Sequence, residues 1–159
     1  MTDFLDSYNL CRTRFADSVL GLNQAQLNWR LHDQVLTIGE SAIHVAGVEM
    51  WFLHQLTGEP FAGFEKVMQS ATAGVVNDDA FPFAPEEITP GFVAEVLGHA
   101  QAAVRPHLES PSAEFLAKEI KSALGPIING RGALARLAFH PGYHHGQVYM
   151  IATAPGFPA

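Results

Sequence analysis

Three of the chain's eight histidines fall within six positions of the segment HPGYHHGQVYM, residues 140–150. His140 and His144 are four apart, which on an α-helix is a rotation of about 40° and a rise of about 6 Å, so both rings leave one face. Such a pair suits a packed helix face, a proton-handling site or part of a metal site. The HxxxH spacing is the one zinc-binding helices use for two ligands. The glutamate of a metalloprotease HExxH is absent, since Pro141 stands in its place. His145 is turned a further ~100° and does not share the face easily.

A third imidazole comes from far upstream. His44 sits in the apolar run AIHVAGVEMWF, on the side of Gly47, Val48 and Trp51. Packed helix axes lie about 8–10 Å apart, close enough for rings on two neighbours to reach one ion at ~2.0–2.1 Å. Three neutral imidazoles leave coordination positions open for water, as in catalytic sites. His32, His54, His99 and His107 lack this geometry and read as surface or interhelical residues. Glu49 lies roughly 140° around the helix from His44 and reads as a surface or interhelical residue, so no dedicated general base is visible. Trp29, Trp51, Phe139 and Tyr143 are the aromatic candidates for pocket walls.

The elements that must position these residues are helical. Phe4, Tyr8, Cys11, Phe15, Val19 and Leu22 recur at spacings of three and four, predicting a helix over 3–22 with Thr2 or Asp3 as cap. Asn23 and Gln26 have capping-box spacing, predicting a short turn that leads to Trp29 and Arg30. Thr37 and Glu40 form a second box, opening a helix of about 20 residues that Gly58 and Pro60 close. Residues 59–88 lack periodicity and read as a long connection, a possible lid. Thr89-Pro90 starts a third long helix expected to end or kink at Pro106. Residues 110–128 fit either a short helix or a frayed strand pair. Asn129 caps a last helix that stops before Pro155, with a kink expected at Pro141 that puts His140 out of line. Four long amphipathic segments with one extended crossover predict an all-α four-helix bundle spanning residues 1–159 as a single domain.

Composition narrows the partners. With 48% hydrophobic and 16% charged residues, 159 residues suffice for a core without a structural metal. The net charge of −7 and the lack of a basic run argue against nucleic acid and anionic lipid. Cys11 is the sole cysteine, so no disulfide or thiolate cluster is possible within the chain, and it reads as a small buried residue. MTDFLDSYNL lacks the layout of a signal peptide and no stretch approaches a membrane span, so a cytoplasmic protein is expected.

The runs TIGESAIHVAGVEMWFL and HPGYHHGQV, with LNQAQLNWR before them and GFP near the end, resemble the DinB/YfiT-like superfamily, which has one histidine in its second helix and HxxxHxGQ in its fourth. The resemblance covers nearly the whole chain, residues 59–128 by layout alone. It implies metal ligands at His44, His140 and His144, with Gln147 a helix or supporting residue. It also implies a homodimeric four-helix bundle holding zinc or nickel, with iron or manganese as alternatives. Characterised relatives include bacillithiol-using S-transferases and a mycothiol-dependent isomerase. The implied activity is therefore thiol transfer, or a related reaction such as hydrolysis, on a small electrophilic substrate. The alternative is a stress-related bundle that binds metal without catalysis. VYMIATAP, after the motif, has no arginine where relatives often carry one.

Overall fold

A computed structural model describes residues 3–159. In chain order it contains α1 (Asp3–Val19), α2 (Gln24–Asn28), α3 (Ile38–Thr57), α4 (Glu65–Gln69), α5 (Pro90–Glu109), α6 (Ala113–Ala117), β1 (Glu119–Lys121), β2 (Ile127–Asn129) and α7 (Gly130–Ala152). The four long helices form the all-α bundle that the periodicity predicts. Helix α1 packs on α7 and α3 on α5, while α3–α7 and α1–α5 contacts close the ring. The cap expected at Thr2 or Asp3 falls on side chains outside the described residues.

Local chemistry sets the ends of these helices. Both predicted capping boxes form: Asn23 Oδ1 accepts from the Gln26 N–H and Thr37 Oγ1 from the Glu40 N–H, and each N3 side chain returns the bond. Gly21, with φ of 101°, leaves the helical backbone, so α1 stops at Val19 rather than at Leu22. Arg30 braces the second box, its Nη2 donating to Glu40 Oε1 at 2.6 Å and its Nη1 to the Val35 carbonyl. Gly58 closes α3 with φ of 79°, a conformation in which glycine bears no Cβ clash. Thr89 and Asn129 cap α5 and α7.

Neither interior proline ends its helix, which corrects the end expected at Pro106. Helix α5 continues past Pro106 to Glu109, because the proline sits on the exposed side, where the carbonyl it leaves unpaired faces water. Val104 and Leu108, buried on the other side, hold the final turn to the core. Likewise α7 runs continuously through Pro141 to Ala152. Leu137, Ala138 and His144 are buried on either side of the proline, and that packing keeps the helix in register. Residues 110–129 contain both of the motifs considered: α6 and then an antiparallel hairpin pairing Ile120 with Ile128.

Helix α3 is the centre of the molecule. Every residue from Ile38 to Met50 is buried, so each polar side chain there needs an internal partner. Glu40 has Arg30. Glu49 accepts at Oε1 from Tyr8 Oη (2.8 Å) and Arg12 Nε (3.0 Å), and Arg12 Nη2 donates to the Leu97 carbonyl (2.7 Å). Burial and the Glu49 carboxylate push the Tyr8 hydroxyl far above its ordinary range, which keeps it a donor. This ion pair joins α1 and α3 across the core and is the interhelical one of the two roles expected of Glu49. No helix among the described residues is long and apolar enough to cross a membrane.

Candidate metal centre

The buried run of α3 brings His44 against α7. Its Nε2 lies 3.2 Å from His140 Nε2, which lies 3.0 Å from His144 Nε2. Residues 96 apart in sequence thus meet at one point, and the continuity of α7 through Pro141 keeps His140 in line with His144.

The His44 ring is oriented from behind. Its Nδ1–H donates to the Ser70 carbonyl at 2.7 Å. A carbonyl only accepts, so Nδ1 carries the proton and Nε2 turns a lone pair toward the other two rings. Ser70 is held in turn, its hydroxyl lying 2.6 Å from the Val67 carbonyl and 3.1 Å from that of Ile43. The crossover comes this close because position 47 is glycine. A Cβ there would collide with the Val67 carbonyl and the Ser70 hydroxyl. The 59–88 connection is therefore built into the site: α4 packs on α3, and Ala71, Gly74, Val75 and Val76 form one wall.

Three imidazole nitrogens this close do not satisfy one another. A neutral ring has one N–H, and with the proton of His44 on Nδ1, no placement of the His140 and His144 protons gives each of the two Nε2 contacts a hydrogen bond of its own. Nitrogens sharing an ion at ~2.1 Å and about 90–110° apart sit roughly 3.0–3.4 Å from each other, the spacing found here. All three rings offer a ligand atom within 4.8 Å of the others. The donor set and its spacing fit a divalent cation. His140 Nδ1 and His144 Nδ1 are buried without a partner among the described residues, so only His44 has the carbonyl support usual for a ligating ring.

Electrostatics agree with a neutral, ligand-ready cluster. Burial, then the neighbouring rings, lowers His140 to about 2, and burial with His44 lowers His144 to about 3. Burial also lowers His44, against the Ser70 bond. An unfolded histidine titrates near 6.5, so below that pH the unfolded chain takes up protons that the metal-free fold refuses. Stability of metal-free protein should therefore fall as pH drops from about 6.5 toward 3, by on the order of 1 kcal/mol per pH unit for each ring. Urea unfolding midpoints at pH 7.5 and 5.5 measure this; with His140 and His144 both changed to alanine, the pH dependence should flatten.

The cluster lies in the wall of a cavity of about 800 Å³. Trp51, Phe139 and Tyr143 line it as expected. Trp29 does not: it packs edge-on against Phe157 of the GFP tail, at 5.6 Å between ring centres, because the tail crosses α2 and Gln26 Nε2 donates to the Pro158 carbonyl. Gln147 lines the cavity and donates to Tyr143 Oη at 3.1 Å. His99 and His107 stack on Phe64 and Phe115, and His54 donates to the Glu59 carbonyl, so none of these joins the cluster. Cys11 is half-buried. Sequence reasoning passed over Arg136, which lines the cavity one turn before His140. The same four-residue spacing that picked out the histidines would have found it.

A helical bundle with a three-histidine cluster between its second and last long helices defines the class: a protein able to hold a metal at the edge of a cavity. The chain belongs to the DinB superfamily, whose family model matches residues 7–148. No curated protein and no solved structure matches it.

Proposed function

We propose that this chain is a divalent-metal-dependent enzyme that transfers a low-molecular-weight thiol to a small electrophile, with His44, His140 and His144 as the metal ligands. The observation that carries the reading is the convergence of three Nε2 atoms at the edge of a cavity large enough for an organic substrate. An all-imidazole set suits zinc or nickel, and also iron; manganese, the remaining alternative, favours oxygen ligands. Bound there, the ion supplies Lewis acidity, lowering the pKa of a ligated thiol or water. The Ser70 carbonyl keeps the His44 lone pair aimed inward, and Trp51, Phe139 and Tyr143 give the cavity aromatic wall. In the transfer the thiol S–H and the carbon's bond to the displaced group break and an S–C bond forms, the proton leaving with that group. Where the electrophile adds the thiol instead, a ring or π bond at that carbon breaks and the freed atom takes the proton. A cytoplasmic homodimer is part of the same proposal.

One observation favours a second reading. Among the described residues no aspartate or glutamate lines the cavity, and Glu49 is committed to Arg12 in the core. A site without a carboxylate base also suits a bundle that binds metal without turnover.

The test is metal content of untagged protein. Wild type should hold about one divalent ion per chain, whereas His44→Ala and His144→Ala should lose it while keeping their helical circular dichroism. Protein that takes up no metal under any loading condition sinks both readings. A screen of small thiols against an aryl halide separates them, since absence of thiol-dependent turnover in loaded protein leaves the binder.

A further inference from the structure

We propose that the cavity takes an apolar organic acid whose carboxylate is held by Arg136, a statement about substrate class that rests on the cavity being the ligand site argued above. Among the described residues, Arg136 is the one lysine or arginine in the cavity wall, and no acidic side chain lines it. Arg12, Arg30 and Arg105 are all paired with carboxylates; Arg136 has no carboxylate partner among the described residues. An unneutralised guanidinium facing an apolar cavity, in a chain of net charge −7, is a site for an anion.

The side chain is also positioned. Nη1 donates to Ser122 Oγ at 3.0 Å. Ser122 is buried and fixed in the hairpin turn, where its N–H donates to the Pro126 carbonyl and its own carbonyl accepts from Gly125. One arm of the guanidinium is thereby anchored to the hairpin, and its other N–H groups remain for a ligand. Arg136 precedes His140 by four residues, about 6 Å along α7 and on the same face. A carboxylate on Arg136 would leave the far end of a short molecule beside the three histidines. Val48, Trp51, Phe139 and Met150 supply apolar surface between and around these points. With one cation and no second basic group in the wall, a singly charged carboxylate matches better than a phosphate dianion.

Titration calorimetry with 4-phenylbutyrate and its uncharged amide tests the proposal, using metal-loaded protein and protein stripped by a chelator. The acid should bind at least about ten-fold tighter than the amide in both forms, the contribution of one charge-assisted contact in a partly dry site. Arg136→Gln should bring the acid down to parity with the amide, leave the amide unchanged and keep its metal, and Arg136→Lys should restore part of the preference. Equal affinity of acid and amide in unaltered protein would overturn the proposal without recourse to any variant. So would a preference that appears only with metal and survives Arg136→Gln; the carboxylate would then be on the metal, and the metal reading would stand alone. A preference that depends on Arg136 in protein that never takes up metal would sustain the acid site and remove the metal reading.

Discussion

Changing Glu49 to alanine should cost the fold about 3–5 kcal/mol, because it strands the Arg12 guanidinium in the core without its counter-charge. Arg12 is only 1% exposed and sits among apolar residues of α1, α3 and α5. Its remaining bond to the Leu97 carbonyl is a neutral acceptor and does not replace a carboxylate. Tyr8 loses the same partner, since both donate to Glu49 Oε1. The pair is not itself a large source of stability: desolvating two charges offsets most of their attraction. Replacing both Arg12 and Glu49 by methionine should therefore cost less than Glu49→Ala alone. Urea unfolding of the two variants measures this. A loss below about 1 kcal/mol for Glu49→Ala would mean that the pair is solvated, contrary to its burial.

The second large effect is at Gly47. A valine there would place carbon on the Val67 carbonyl and the Ser70 hydroxyl, and neither can move without shifting the end of α4. Overpacking of this kind costs about 1–3 kcal/mol. The displacement also takes the Ser70 carbonyl from His44 Nδ1, and loss of such a support weakens metal binding by roughly 10–100-fold. Stability and metal affinity should thus fall together in Gly47→Val. In Ser70→Ala, which keeps the carbonyl and removes only the hydroxyl, affinity should fall far less. Competition with a chromogenic chelator reports the affinity, and an unchanged value in Gly47→Val would show that the carbonyl does not orient the ring.

What the sequence made legible follows from range. The boxes at Asn23–Gln26 and Thr37–Glu40 and the caps at Thr89 and Asn129 are made within three residues of chain, so local residue type and spacing located four helix starts. The meeting of His44 with His140 and His144 was readable because helical periodicity gave each a face and an apolar neighbour. The partner of His44 was not: Ser70 lies 26 residues away in a connection without periodicity, and a backbone carbonyl leaves no mark on residue type. The hairpin strands are three residues each, too short for alternation to show. Neither proline ends its helix, and for one reason. The cost of an interior proline is local, and the packing of Val104, Leu108, Leu137 and Ala138 that outweighs it is tertiary.

Beyond the faces of α3 and α7 that carry the histidines, the cavity is walled by three separate connections, residues 31–36, 71–76 and 122–124. Each connection can lengthen, shorten or change residue type without re-threading either helix, whereas α3 is locked on every side. Diversification on this scaffold is accordingly modular. New substrates would be met by exchanging loops around a fixed centre, and Leu124, 72% exposed at the hairpin tip, is the cheapest position at which to begin such an exchange.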